Sequence, residues 1–410
     1  MPPILITMNS EVTGAATVGD ATAASIFVTV LTRGPIPRTE IAARLGVSAA
    51  TVSKAVRPLL AAGYLTESGG ESEAATRPGR PVVPLRVVAE REYVIGVKLA
   101  ADHLSGVVVD LLANVRAARD VALTDHSVAG VINAIGALVD DLRAAAAVQG
   151  GQVTRLGVGL GGHVDARAGV VRYAPFLADA AGDEWREVPL RELLGTRCGL
   201  PVVIENDVNS LTVAEQWFGA GVDVPSFAVV TIGAGIGCGL VVGGALVHGA
   251  VGLAGELGHV PITADGPECP RCGKAGCVES IAAEGAILHR VRAATGRPDL
   301  DITAAAVLAR EGDRGAAAAF ATAGDALGRA LAIVANLLNP HRIVLSGEGL
   351  AASDLFESAA RASFARHAFG QAADCDLVTR PLPDAIWARG AAAVAIAQLF
   401  RGPSTGIPMR

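Results

Sequence analysis

Three of the chain's six cysteines fall within nine residues, at Cys269, Cys272 and Cys277, and His259 stands ten residues ahead of the first. Four such side chains constrain a local fold tightly, because a tetrahedral Cys3His set must draw its whole loop onto one metal ion. The run Cys272-Gly273-Lys274-Ala275-Gly276-Cys277 supplies glycines that permit the tight backbone this convergence needs. The pattern predicts a structural Zn²⁺ held by His259, Cys269, Cys272 and Cys277, against the alternative of three incidental buried thiols. Cys198, Cys238 and Cys375 are scattered and read as small core residues. Clustered thiols of this kind fit metal ligation in a reducing cytoplasm better than disulfides.

With 410 residues and abundant Ala, Val, Leu and Gly, the chain can bury large cores in two or three domains. No run approaches the roughly 20 uninterrupted apolar residues that span a bilayer, and the N-terminus lacks the basic-then-apolar order of a secretory signal. The expected compartment is the cytoplasm, with no membrane partner. The net charge of -6 says less than its distribution: residues 21 to 90 hold eight Arg or Lys against five Asp or Glu.

That locally basic segment has the pattern of a helix-turn-helix. Ile26, Val28, Val30 and Leu31 lie in a first apolar segment. Thr39 to Leu45 reads as a short helix beginning near a capping Arg38-Thr39 pair and ending at Gly46. Ser48 is placed to cap a second helix, Ala49 to Ala62, with Val52, Val56, Leu59 and Leu60 at helical spacing. This second helix would expose Ser48, Ala49, Ala50, Thr51, Ser53, Lys54 and Arg57, short or basic side chains suited to the major groove and its phosphates. The partner they predict is double-stranded DNA; a helix-turn-helix used only for protein contacts is the alternative. Gly63 to Glu67 reads as the start of a β wing whose return strand lies near Val82 to Val87. In the flexible stretch between them, Arg77 and Arg80 are candidates for a narrow minor groove, or simply parts of a solvated linker. Residues 1 to 20 show no periodicity and read as a disordered tail.

From about Glu92 the pattern changes to buried strands alternating with Ala-rich helices. Strands are expected at Tyr93 to Leu99, Ser105 to Leu111, Arg155 to Leu160 and Pro201 to Glu205, with a helix over Val128 to Val148. A second set begins with strands at Phe227 to Ile232 and Gly239 to Val242. Helices follow at Ala282 to Ala293, Ile302 to Arg310 and Gly315 to Leu338, then a strand at Arg342 to Leu345. The strand-rich starts of the two halves hint at an old duplication. The expected fold class is α/β with an N-terminal winged helix. The divisions are a tail over 1–20, the winged helix with its linker over 21–90, a first lobe over 91–207 and a second lobe over 208–410 that carries the zinc loop. The last helix is expected to return to the first lobe.

Several motifs of this region resemble the ROK family, which groups sugar kinases with transcriptional repressors on the actin-like ATPase and sugar kinase two-lobe fold. They are Thr231-Ile232-Gly233-Ala234-Gly235-Ile236-Gly237, Gly252 to His259, the cysteine cluster closing on Cys277-Val278-Glu279, Glu205-Asn206-Asp207-Val208-Asn209, and Asn339 to Gly347. The similarity spans roughly residues 22 to 400, and the winged helix ahead of the core looks like the repressor branch. The resemblance implies that Asn206, Asp207, Glu256, His259 and Glu279 surround a sugar, Asp207 standing where the family's kinases hold their general base. His259 would ligate zinc through one ring nitrogen and face the hydroxyl-binding pocket with its other side. It also implies a homodimer, or a larger homo-oligomer, on a palindromic operator.

The departures from the family pattern are as telling. The kinases' D-x-G-G-T appears as Lys98-Leu99-Ala100-Ala101-Asp102, so alanines replace the phosphate-approaching glycines and Lys replaces the Asp linked to metal and phosphate. Ala234 stands for a family Thr, Glu348 for a frequent glycine, and the first two cysteines are spaced C-x-x-C rather than C-x-C. Gly159-Leu160-Gly161-Gly162-His163-Val164-Asp165 stands for G-x-P-G-P-V-D, and Phe176 for a common Asn, where it could stack on a sugar face or fill the cleft edge. The expectation is therefore a sugar-responsive DNA-binding regulator, a repressor, whose degenerate kinase core leaves Asp207 a vestigial base. The alternatives are an ATP-dependent sugar kinase with an appended DNA-binding domain and a repressor regulated by a protein partner.

Overall fold

A computed structural model describes residues 21–68, 83–148, 150–177, 185–381 and 385–399. The tail over 1–20 and the candidate contacts Arg77 and Arg80 lie outside the described residues. The described residues form two compact units, one of 21–68, 83–92 and 396–399, the other within the range from Tyr93 to Ala395.

In the N-terminal unit, α1 (Ala21–Arg33), α2 (Arg38–Leu45) and α3 (Ala49–Ala61) pack through Ile26, Phe27, Val30, Ile41, Val52, Val56 and Leu59, all buried. Gly46, at φ 64°, closes α2 in the left-handed conformation that glycine adopts without steric cost, and its N–H donates to the Ala42 carbonyl. The expected Arg38-Thr39 cap is not formed: Pro37 occupies the N-cap position with no side-chain hydrogen bond, and proline's fixed φ starts the helix instead. Ser48 caps α3, its side chain accepting from the Thr51 N–H at 3.0 Å. Strands β1 (Ile36–Pro37), β2 (Leu65–Glu67) and β3 (Pro84–Val87) form an antiparallel wing in the order β1-β3-β2.

The second unit contains two five-stranded sheets. The first is built from β4 (Tyr93–Leu99), β5 (His103–Asp110), β6 (Val115–Ala122), β7 (Val153–Leu160) and β11 (Val202–Asn206). A small antiparallel sheet of β8 (His163–Asp165), β9 (Val170–Tyr173) and β10 (Arg186–Val188) accompanies it. The second is built from β12 (Phe227–Ile232), β13 (Ile236–Val242), β14 (Ala245–Leu246), β15 (Arg342–Ser346) and β16 (Asp376–Thr379). The orders are β11-β7-β4-β5-β6 and β14-β13-β12-β15-β16. In each, the first three strands form an antiparallel meander and the last two add in parallel beside the first. The two sheets thus share one topology.

Helices α4 (Val128–Val148) and α5 (Leu190–Cys198) cover the first sheet, and α6 (Asp207–Phe218) starts directly from the end of β11. The second half adds α7 (Val278–Ala282), α8 (Glu284–Thr295), α9 (Ile302–Arg310), α10 (Arg314–Leu338) and α11 (Ser353–His367). The single helix expected over Ala282 to Ala293 is instead two, because Ala283 takes extended dihedrals and turns the chain between α7 and α8. Helix α12 (Ala385–Leu399) returns across the first sheet, where a Cβ on Gly96 or Gly157 would lie 2.0 Å from the Ala388 or Ala391 carbonyl oxygen. Among the described residues α10 alone is long and apolar enough to cross a membrane, yet it buries Phe320, Leu327 and Leu331 in the core of the second half.

Candidate functional site

The exposed face of α3 carries Ser48, Ala49, Ala50, Thr51, Ser53, Lys54 and Arg57, while Val52, Ala55, Val56 and Leu59 face inward. Small residues at the start and two cations farther along leave a face that backbone phosphates can approach closely. Arg44 is tied to Glu40 at 2.7 Å and Arg38 to Glu67, whereas among the described residues neither Lys54 nor Arg57 has an ionic partner.

The second cluster lies in the loop after β14. His259 closes a short turn, Leu257–His259, and the chain then returns through Cys269 and Cys272 to Cys277 at the N-cap of α7. One ligand atom from each of His259, Cys269, Cys272 and Cys277 falls within 4.8 Å of every other. His259 Nδ1 is 3.6 Å from Cys269 Sγ, and the Cys272 and Cys277 sulfurs are also 3.6 Å apart. A tetrahedral ion with bonds of about 2.3 Å to sulfur and about 2.0 Å to nitrogen has edges of about 3.5 to 3.8 Å, so this donor set could hold a metal such as zinc. The extra residue between the first two cysteines is absorbed in the turn, where the Gly273 N–H donates to the Cys269 carbonyl at 2.8 Å. Cys198 and Cys238 are buried away from the cluster, burial pushing the Cys238 thiol up to about 12, while Cys375 is only partly buried.

The residues implied as sugar contacts form two groups. Asn206 and Asp207 lie where β11 passes into α6. Asn206 Oδ1 accepts from the Val208 and Asn209 N–H groups at 2.9 and 3.2 Å, and its Nδ2 donates to the Gly162 carbonyl at 3.2 Å. Its side chain therefore caps a helix as well as facing the strand end. Asp207 pairs with Lys98, whose ammonium also lies 5.0 Å from the Trp387 ring centroid. In the other group, Glu256 Oε2 lies 3.8 Å from His259 Nε2, on the side of the ring opposite the sulfurs. Glu279 is buried with both oxygens engaged: Arg271 Nε lies 3.0 Å from one, and the Ile236 N–H donates to the other at 3.1 Å. Phe176 packs against the core of the first sheet, its ring 3.6 Å from where a Cβ on Gly161 would sit.

Sequence reasoning did not single out Glu205 and His248. Glu205 is buried and accepts from Asn209 Nδ2 at 3.1 Å and the Asn206 N–H at 2.9 Å, with His248 Nε2 2.8 Å from its other oxygen. An apolar run ending in Glu205 directly before Asn206 is the one signal that could have marked the carboxylate. Nothing in the spacing marks the histidine, which lies 43 residues away.

The glycine loop 233–235 between β12 and β13 holds a carboxylate of the chain itself. Glu348 Oε1 accepts from the Ala234 N–H at 3.1 Å, and a Cβ on Gly233 would lie 2.0 Å from the same oxygen. Burial first, then the neighbouring Glu348 and Asp301 carboxylates, raise the Glu284 carboxyl above its ordinary value. At the first hairpin, a hydrogen bond from His103 lowers the Asp102 carboxyl and keeps it ionised. The glycine loop and the first hairpin thus each carry an anionic side chain.

Residues 94–398 match the ROK family, and residues 30–66 match the winged helix-turn-helix DNA-binding family. The chain belongs to the ROK family and carries an N-terminal winged helix-turn-helix on a two-lobe sugar-kinase-type core. More particularly, it is similar over most of its length to repressors. It is 27% identical over 352 residues to the xylose repressor of Caldicellulosiruptor bescii, covering 81% of this chain and 84% of the repressor. The solved structure of a ROK family transcriptional regulator, a homolog of the Escherichia coli MLC protein, matches with TM-score 0.78 and 25% identity over 92% of this chain and 96% of that one. A ROK family glucokinase from Streptomyces griseus, solved with glucose and AMPPNP, matches with TM-score 0.62 and 29% identity over 74% of this chain and 98% of the kinase. A whole kinase therefore corresponds to about three quarters of this chain.

Proposed function

We propose that the chain is a sugar-responsive transcriptional regulator, a repressor, whose core binds a sugar or sugar derivative between its lobes without efficient phosphorylation. The observation that carries this reading is the Lys98–Asp207 ion pair. A general base must accept a proton from the attacking hydroxyl, and an ammonium held against the carboxylate occupies the position that hydroxyl would need. Glu348 on the glycine loop supports the same conclusion from the nucleotide side.

In this reading Ser48, Ala49, Thr51, Ser53, Lys54 and Arg57 face double-stranded DNA, with Arg77 and Arg80 as further candidates. Asn206, Asp207, Glu256 and His259 offer hydroxyl partners to the sugar, and Glu279 holds the loop beside them. His259, Cys269, Cys272 and Cys277 would hold a structural zinc, which fixes the imidazole so that its other nitrogen keeps its place beside Glu256. A homodimer would set two copies of α3 on successive major grooves of an operator in the cytoplasm. Sugar binding changes DNA affinity only if the sugar prefers one of two core conformations.

The kinase reading is tested by ATP turnover of the purified chain with D-glucose, D-xylose and N-acetyl-D-glucosamine. Turnover at background level is expected. Sugar-dependent ATP hydrolysis at the roughly 1–100 s⁻¹ of ordinary kinases would overturn the regulator-only core.

A further inference from the structure

The segment 248–255 leaves the second lobe, touches the first, and comes back. It follows β14, begins at His248 and ends at Gly255, which at φ 87° lies so close to β13 that a Cβ there would be 1.9 Å from the Cys238 carbonyl oxygen. Between these ends it crosses to the first lobe. His248 Nε2 reaches Glu205 at the end of β11 at 2.8 Å, and His163 Nε2 on β8 lies 2.6 Å from the Val251 carbonyl oxygen. Gly252, at φ 84°, sits against β8 so closely that a Cβ would lie 2.7 Å from the Val164 carbonyl oxygen. The Ala254 N–H donates back to the His248 carbonyl at 3.2 Å, which closes the segment on itself.

Glu205 precedes Asn206 and Asp207, and Glu256 follows Gly255, so this strap joins the two groups of candidate sugar contacts. Its tip exposes Val251 and Leu253, at 59% and 43% of their full surface, so little of its hold on the first lobe is hydrophobic. What fastens it is a few polar contacts, and His163 supplies one that proline, its counterpart in the motif discussed above, cannot make, because a proline side chain has no donor.

We propose that segment 248–255 is a strap between the lobes that sets the closure of the sugar site, with His163 as the positioning residue that fastens it. The inference rests on the sugar-binding reading of the core. Each lobe carries part of the site, so a ligand can enter or leave only as the lobes part, and parting them breaks the His163–Val251 and His248–Glu205 links. One neutral hydrogen bond biases such an equilibrium by about three- to tenfold.

The test uses the full-length chain as wild type, His163→Ala, His163→Gln and Gly252→Ala. Amide hydrogen exchange without ligand is expected to rise about three- to tenfold across 248–255 in His163→Ala and Gly252→Ala, to return toward wild type in His163→Gln, which keeps a donor, and to stay unchanged in α10. With D-xylose, D-glucose and N-acetyl-D-glucosamine as stopped-flow probes, any sugar that binds is expected to show faster association and faster dissociation in His163→Ala. A merely distorted pocket would speed dissociation alone. Wild-type exchange across 248–255 in both His163→Ala and Gly252→Ala overturns the strap, as does faster dissociation without faster association. Failure of all three sugars to bind wild type would count against the sugar reading, and the exchange experiment still decides the strap.

Discussion

At the scale of single residues, two charged side chains, Lys98 and Glu348, carry the regulator reading. Lys98 is the sharpest case. Its identity was legible in the sequence as a departure from the kinase pattern, but its partner, Asp207, lies 109 residues away and became visible only in the fold. Glu348 is similar: the sequence marks it as an unexpected charge, and the structure puts its carboxylate on the Ala234 amide. Asn206 has the opposite history, since a residue read as a ligand contact also caps α6. Glu205 and His248 stayed hidden because a long-range hydrogen bond leaves no local periodicity. On the DNA side, Arg57 is exposed on α3 and is read as a phosphate contact. Arg57→Ala is expected to weaken operator binding and to reduce the slope of log affinity against log salt by about one, as measured by anisotropy over a salt series. An unchanged slope would remove Arg57 from the contact surface.

At the scale of elements, strands and helices with strong periodicity were readable almost to the residue, as at Tyr93–Leu99, Val128–Val148 and Phe227–Ile232. Boundaries failed where tertiary context decides: the break at Ala283 falls within a stretch that reads as one helix, and Gly285 stands inside α8 and not at the break. Helix α10 shows how small residues define packing. A Cβ on Gly324 or Gly328 would lie 2.4 or 2.3 Å from the Phe356 or Ala360 carbonyl oxygen of α11, so only glycine allows the two helices to approach this closely. Gly328→Ala is expected to destabilise the core by about 1–3 kcal/mol in urea unfolding despite alanine's better helix propensity; a stabilised variant would contradict the tight contact. The cysteine loop was legible as a donor set, whereas its convergence needed the fold to bring His259 to Cys269. Metal analysis of the purified chain is expected to find stoichiometric zinc, largely lost in Cys272→Ser together with several degrees of melting temperature. A zinc-free wild type with the same melting temperature would dismiss the structural-metal assignment.

At the scale of the whole molecule, the chain joins a DNA-binding head to a kinase-type core built from two sheets of one topology. The change in pattern near Glu92 made this two-part plan readable, and hydrophobic alternation made the strands readable. The order of strands within each sheet was not, because parallel pairing across a crossover depends on contacts that sequence spacing does not encode. The account's central claim is that a sugar bound to the core changes DNA affinity without being phosphorylated. The most direct measurement is fluorescence anisotropy of the purified chain on DNA from its own upstream region, at fixed salt, with and without a panel of monosaccharides and amino sugars. The account predicts specific binding that at least one sugar shifts by about 5- to 150-fold, with no nucleotide required. No specific DNA binding, or specific binding that no sugar in the panel alters, would contradict it.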